Sequence, residues 1–161
     1  MSNLLELFLK NSELVSNINC VCTETELTYK LNAVDSGFQF VDTELGGQKL
    51  VRCEMTKEGF PAALVQADFA IAETGSVVIN SSDEQKRLAT CLCEDLHVVF
   101  PLSCLKDSLL DIADYMQEMT SDDASFIAFM TGASRTADIE RVLTIGVHGP
   151  GKMYVYVVKD A

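Results

Sequence analysis

The chain has 161 residues, 48% of them hydrophobic, and its 24 acidic and 12 basic residues give a formal net charge of -12. This length and composition predict one folded domain spanning residues 1–161, not a disordered chain or two domains. Because so negative a molecule repels phosphate backbones and anionic lipid headgroups, nucleic acid and membrane surfaces are excluded as expected partners.

The first segment predicts a helix, since Leu4, Leu5, Phe8 and Leu9 recur at helical spacing. It has no basic leader and no run of about 18 apolar residues, which predicts a cytoplasmic protein without an export or anchoring signal. Thr23 and Glu26 then form a capping-box pattern. This pattern predicts a second helix over 24–35, ended by Gly37, with a strand at 38–41 and a loop at 45–48 beyond it.

The middle of the chain predicts a β-hairpin at 67–79, because two short apolar runs flank Glu73-Thr74-Gly75. Glu73 lies at the tip of this hairpin. We interpret residues 81–87 as a polar connection and 88–93 and 97–102 as further strands, closed at Pro101.

The second half continues the alternation of helices and strands. Apolar residues step by four, three, four and three from Leu105 to Met119, which predicts a helix over 105–119. Residues 125–130 and 153–158 are apolar on both alternating faces, as in strands buried between helices. The sequence therefore predicts an α/β domain.

The segment 131–151 concentrates glycine, hydroxyl and charged residues and is the first candidate site. Gly132 permits a sharp exit from the preceding strand, and Ser134 and Thr136 can cap a following turn. Exposed N–H groups at such a turn, with the Arg135 guanidinium, can bind a carboxylate or phosphate. Alternatively, Arg135 pairs with an acidic neighbour within the loop, either Asp138 or Glu140.

Two further features are weaker candidates for chemistry. His148 precedes Gly149 in a glycine-rich turn where a ligand can approach closely, although a lone histidine is more often structural. Glu73, beside Thr74 and Gly75, can act as a base, nucleophile or ligand anchor, although most glutamates in turns are only solvated.

The sequence predicts no metal and no cofactor. No P-loop, dinucleotide glycine fingerprint, HExxH or GxSxG motif occurs. Six cysteines in a cytoplasmic protein are expected to be free thiols. They form Cys20-x-Cys22 and Cys91-x-Cys93, with Cys53 and Cys104 alone, and a metal site would require these to converge in space.

Two long stretches, ADFAIAETGSVVINSS at 67–82 and FMTGASRTADIERVLTIGVHGPG at 129–151, resemble the signature motifs of the LUD domain. The resemblance covers about residues 60–158. It implies a central mostly parallel sheet flanked by helices, similar to the sugar-isomerase and CoA-transferase group, with ligand loops at strand ends. Relative to the family, the region before residue 60 is short, so a pocket wall or dimer contact is expected either to be missing or to be supplied by a second chain.

The resemblance also implies a role in oxidising L-lactate to pyruvate beside two iron–sulfur proteins that carry the electrons. The leading hypothesis is an accessory protein in which Glu73, Arg135 and His148 line a pocket for a small anion. The alternative is a stand-alone enzyme, similar to an isomerase or an acyl- or CoA-transferase, that uses Glu73. A cysteine-based metal or redox sensor is a third hypothesis.

Overall fold

A computed structural model of the chain describes residues 3–34, 37–52, 59–121, 125–137, 143–145 and 149–159. Its centre is a five-stranded sheet made of β1 (Ile18–Cys22), β2 (Phe40–Asp42), β3 (Phe60–Gln66), β6 (Cys93–Pro101) and β11 (Lys152–Val158). These strands all run parallel, in the order β1-β11-β6-β3-β2. The predicted α/β class with a central parallel sheet is confirmed.

Helices cover both faces of this sheet. The helices α1 (Asn3–Leu14) and α3 (Glu84–Leu92) pack on one face, where Phe8 and Ala89 are fully buried in the larger core. The opposite face is covered by α2 (Glu24–Asn32), which buries Leu27 and Leu31. Burial on both faces is the reason that β11 carries apolar residues at successive positions.

A second sheet adjoins the larger core and contains four short strands, β4 (Phe69–Ile71), β5 (Ser76–Asn80), β7 (Leu105–Lys106) and β8 (Ile127–Met130). Their order in the sheet is β7-β4-β5-β8. The strands β4 and β5 pair antiparallel around the turn 72–75, which confirms the predicted hairpin. A separate antiparallel pair joins β9 (Arg135–Ala137) to β10 (Leu143–Ile145).

The predictions for the first two helices are confirmed. In α2, the Thr23 side chain accepts from the Glu26 backbone while the Glu26 carboxylate accepts from the Thr23 backbone, which is the predicted capping box. The helix ends at Asn32, five residues before the predicted stop at Gly37, because the N–H of Ala33 already bonds to the carbonyl of Lys30.

The interpretation of 81–87 as a connection and 88–93 as a strand is wrong. Asp83 caps α3 by accepting from the Lys86 backbone N–H, and the helix continues to Leu92 before β6 begins at Cys93. The strand β3 (Phe60–Gln66) was not predicted. An apolar segment of this length fits a buried helix face as well as a strand, so tertiary packing decides between them.

The predicted helix over 105–119 is correct only in its second half. Leu105 pairs with Ala70 as part of β7, and Ser108 then adopts an extended backbone that caps a short 3-10 turn over Leu109–Ile112. The regular helix α4 covers only Ala113–Met119. Strand pairing and a local cap therefore override the helical periodicity.

The prediction that 125–130 is a strand buried between helices is correct only in part. The strand β8 is not buried between helices, because it pairs with β5 alone among the described strands and leaves Phe129 42% exposed.

The longest helix that the structure describes is α1, with 12 residues, and none of the described helices has the length and apolar content to cross a bilayer.

Candidate functional site

The predicted site begins at the hairpin turn, where Glu73 and Thr74 are both exposed. The Glu73 carboxylate accepts from the backbone N–H of Leu109 at 3.0 Å, and its own N–H donates to the carbonyl of Asp107 at 3.0 Å. These two bonds connect the turn to the segment that follows β7. Glu73 therefore has a structural contact, and its role as base or nucleophile stays a prediction.

Gly75 lies against the carboxyl end of α1. A Cβ atom at Gly75 would lie 2.4 Å from the backbone nitrogen of Ser12, and the glycine has a left-handed φ of 67°. Asn11 completes this contact, since its side-chain amide donates to the carbonyls of Ala72 at 2.8 Å and Glu73 at 3.0 Å. Both the space and the backbone conformation thus require glycine here.

Gly132 approaches the same part of the chain. A Cβ atom at Gly132 would lie 2.8 Å from the carbonyl oxygen of Val15, and Asn17 donates to the carbonyl of Thr131 at 3.0 Å. The Thr131 hydroxyl lies 2.8 Å from that of Ser76, one residue after Gly75. The two predicted motifs, far apart in sequence, therefore meet on residues 11–17.

Ser134 and Gly149 lie beside the start of the central strands. The Ser134 N–H donates to the carbonyl of Pro150 at 2.8 Å, and a Cβ atom at Gly149 would lie 3.1 Å from the Ser134 Cβ. The N–H of Gly151 donates to the carbonyl of Glu94 at 2.8 Å. We call residues 11–19, 72–76, 131–134 and 149–151 the amino-edge junction, because β1, β6 and β11 begin beside it.

The remaining predicted residues are placed less completely. Arg135 and Thr136 lie on β9, where their backbones pair with Ile145 and Thr144, so the expected turn capped by Ser134 and Thr136 is instead the start of a strand. The predicted anion contact of Arg135 stays a prediction. Asp138 and His148 lie outside the described residues.

A buried group of polar side chains at this junction was not predicted. Asn17 donates to the Ser12 hydroxyl at 3.0 Å, which donates to the Asn19 side chain at 2.8 Å. The Oδ1 atom of Asn17 is buried and has no hydrogen-bond partner among the described residues. Scattered Asn and Ser residues around a helix end look like an ordinary turn in sequence, so no sequence signal identified this group.

An open cleft of about 790 Å³ lies at the opposite edge of the sheet, beside the carboxyl ends of β2 and β3. Ligands of open α/β sheets generally bind at this edge. At the cleft, Lys86 of α3 forms an ion pair of 2.9 Å with Asp42. Sequence reasoning missed the residues that line the cleft, because they come from three separated segments, 42–50, 66–68 and the helix residue Lys86. We call this feature the carboxyl-edge cleft.

A buried histidine at the centre of the parallel sheet is held in its neutral form. His97 on β6 lies 3.0 Å from the Tyr156 hydroxyl and stacks on the Tyr154 ring with centroids 4.3 Å apart. Burial lowers the pKa of His97 from 6.5 to about 4. The imidazole is therefore uncharged near neutral pH and packs as a core aromatic ring.

Within the described residues the two C-x-C pairs do not come together, and Cys53 lies outside those residues. Cys22 of β1 is buried on the α2 face, whereas Cys93 of β6 is buried on the α1 face, and Cys91 is exposed on α3. No cluster of His, Cys, Asp and Glu within the described ranges has the arrangement of a metal site. Burial raises the pKa of Cys22 to about 11 and that of Cys93 to about 12, which disfavours the reactive thiolate.

Comparison with protein families matches residues 39–158 to the model described as the LUD domain. A protein named Lactate utilization protein C from Geobacillus thermodenitrificans is 34% identical over 122 residues, which cover 74% of this chain and 49% of that protein. A protein of the same name from Bacillus subtilis is 28% identical over 122 residues, again 74% of this chain and 49% of that protein. The chain thus spans about half the length of these relatives.

A solved structure supports the fold over the whole chain. It is a DUF162 family protein from Deinococcus radiodurans, with a TM-score of 0.71, 15% sequence identity, and coverage of 98% of this chain and 97% of that one. At this identity the likeness concerns the fold alone. The same α/β arrangement is therefore found in a protein of nearly equal extent.

Proposed function

Because the chain belongs to the LUD domain family, we propose that it takes part in L-lactate utilisation as an accessory protein. In this proposal it works in the cytoplasm with iron–sulfur proteins that carry the electrons from L-lactate to pyruvate. The observation that carries the proposal is the match to proteins named Lactate utilization protein C over three quarters of this chain.

The site proposed for this role is a small-anion pocket at the amino-edge junction. Its support is that Gly75 and Gly132, from the two family motifs, pack against one stretch of chain, while Ser134 and Gly149 approach each other beside it. A cation next to such closely packed backbone can hold a carboxylate through charge-assisted hydrogen bonds. Arg135, which directly follows Ser134, is the residue proposed to supply that cation.

The partner proposal is tested by co-expressing this chain with two iron–sulfur lactate-oxidation proteins and purifying the mixture without oxygen through a tag on this chain. We expect the iron–sulfur proteins to elute with the tagged chain and L-lactate to reduce an added dye. Elution of the tagged chain alone, with lactate oxidation unchanged when it is omitted, would contradict an accessory role.

The pocket is tested separately by titrating the purified chain with L-lactate in a calorimeter. Arg135→Gln is expected to weaken binding by about tenfold or more, because it removes a charge-assisted contact. The matched control is Lys10→Gln, which removes one positive charge from the exposed face of α1. Equal affinities for both variants and for the natural chain would place the anion elsewhere.

A further inference from the structure

The carboxyl-edge cleft is built from segments that are fixed in place. One wall is the loop 43–50, which is held at its start by buried Thr43, whose hydroxyl donates to Gln66 at 3.1 Å. At its far end, Val51 pairs with Val41 through two backbone hydrogen bonds of 2.8 and 3.1 Å. One wall of the open cleft is therefore a loop that is anchored at both ends.

The middle of this wall is anchored to the helix on the α2 face. Gly46 is buried, and a Cβ atom there would lie 3.1 Å from side-chain atoms of both Leu27 and Leu31. Its φ of 72° lies in the left-handed region, so glycine is required for the loop to turn at this point. The anchor directs the polar residues that follow, Gln48 and Lys49, toward the cleft that they line.

The half-buried side chains of Gln66 and Asp68 provide the cleft with a hydrogen-bond donor and a hydrogen-bond acceptor. Gln66 accepts from Thr43 through Oε1, so its Nε2 hydrogens are the donors that it can offer to a ligand. Asp68 accepts from the Asn80 backbone N–H at 2.6 Å through Oδ2, and a carboxylate has further acceptor positions. A donor and an acceptor are thus set two residues apart at the end of β3.

The charges of the cleft disfavour an anionic ligand. The Lys86 side chain is only 12% exposed and is already paired with Asp42 at 2.9 Å. The remaining charged groups that line the cleft are Glu44, Lys49 and Asp68, which leaves one net negative charge. A phosphate or carboxylate would be repelled, whereas a neutral molecule with adjacent hydroxyl groups can donate to Asp68 and accept from Gln66.

We propose that the carboxyl-edge cleft binds a neutral small molecule through a vicinal diol, as presented by a sugar or the ribose of a nucleoside. Asp68 accepts from the hydroxyl hydrogens, and the Gln66 amide donates to a hydroxyl oxygen. The volume of about 790 Å³ accommodates a ligand of this size. This site is independent of the small-anion pocket, which lies at the other edge of the sheet.

The test uses the full chain labelled with ¹⁵N and followed by two-dimensional NMR during titration with adenosine, D-ribose, 2′-deoxyadenosine and L-lactate. Adenosine or D-ribose is expected to produce saturable shifts of the Gln66 side-chain amide and of backbone amides in 44–50. The comparison of adenosine with D-ribose distinguishes a nucleoside site from a free-sugar site, and 2′-deoxyadenosine breaks the diol by lacking only its 2′-hydroxyl. We expect at least about tenfold weaker binding of the deoxy compound.

The variant Asp68→Asn keeps an oxygen that can accept from the Asn80 N–H but removes the charge, and it is expected to weaken binding of the diol by about tenfold. Its matched control is Asp114→Asn on the exposed surface of α4. The proposal is overturned if neither diol compound shifts these amides, if the deoxy compound or L-lactate binds equally well there, or if Asp68→Asn has no more effect than the control.

Discussion

The two edges of the parallel sheet differ in how their polar residues are used. At the amino-edge junction, hydroxyl and amide side chains bond to one another, and Gly75 and Gly132 allow backbones to touch. At the carboxyl-edge cleft, polar side chains surround about 790 Å³ of open space. Glycine-rich motifs thus indicate close backbone packing as readily as they indicate a binding loop.

This difference separates two kinds of evidence about function. The motif glycines Gly75 and Gly132 lie at the tightly packed edge, whereas the cavity lies at the edge where α/β sheets generally bind ligands. The variants below measure how much stability each edge contributes, from the largest expected effect to the smallest.

The largest effect is expected for Gly75→Ala. The new Cβ would lie 2.4 Å from the Ser12 nitrogen and would also have to adopt a φ of 67°. We expect the free energy of unfolding to fall by about 3 kcal/mol or more, from overpacking and left-handed strain together. Chemical denaturation measures this loss.

Gly47→Ala is the matched control for that variant, because Gly47 also has a φ of 67° but no atom lies within 4 Å of its Cβ position. It should cost only about 1 kcal/mol, the strain term alone. If the two variants were equally stable, the close contact between the hairpin and α1 would not be the reason for glycine at position 75.

The sheet between the two edges provides a pH test. The folded protein keeps His97 neutral down to a pKa of about 4, whereas the unfolded chain takes up the proton near 6.5. Stability is therefore full above pH 6.5 and declines as the pH falls from 6.5 toward 4. Between pH 7 and pH 5 we expect a loss of about 2 kcal/mol, measured by denaturation at each pH.

The variant His97→Phe is expected to lose this pH-dependent step whatever its stability at pH 7, since it cannot take up a proton. Because the chain has only one other histidine, His148, the variant His148→Gln serves as the control and should keep the step. If the step disappeared in His148→Gln and persisted in His97→Phe, the titrating histidine would be His148 and not His97.

A moderate effect is expected at the carboxyl-edge cleft from Lys86→Met. The ion pair with Asp42 is partly screened, because Asp42 is 28% exposed, so its removal should cost about 1 kcal/mol. The control is Lys152→Met, whose pair with Asp95 is 4.0 Å long with a lysine that is 62% exposed. We expect no measurable change in the control by thermal unfolding.

The smallest effect is expected for Glu73→Gln, since a glutamine oxygen can still accept from the Leu109 N–H. Its stability should change by less than about 0.5 kcal/mol, whereas Glu73→Ala should lose about 1 kcal/mol. The accessory role predicts that Glu73→Gln retains lactate-dependent dye reduction. If Glu73→Gln folded normally and abolished that activity, the Glu73 carboxylate would be needed for function and not only for the hydrogen bond to Leu109.

Sequence reasoning predicted the elements that depend on neighbouring residues. The capping box of Thr23 and Glu26 is such a case, because its bonds span only three residues. The stretch 105–119 shows the limit, since its helical periodicity is real but Leu105 pairs with Ala70 across the fold. In the candidate site, the motifs identified Gly75 and Gly132 as site residues. The motifs gave no indication that these two glycines contact residues 11–17.

The sequence by itself determined the α/β class, the hairpin at 67–79, the helix after Thr23 and the buried last strand, because period and capping are local properties. Only the tertiary structure decided that Gly75 and Gly132 meet residues 11–17, that Asp42 pairs with Lys86, and that these two glycines lie at the opposite edge from the cleft. The physical reason is that these contacts join residues about 40 to 120 positions apart, and packing of the whole chain selects them.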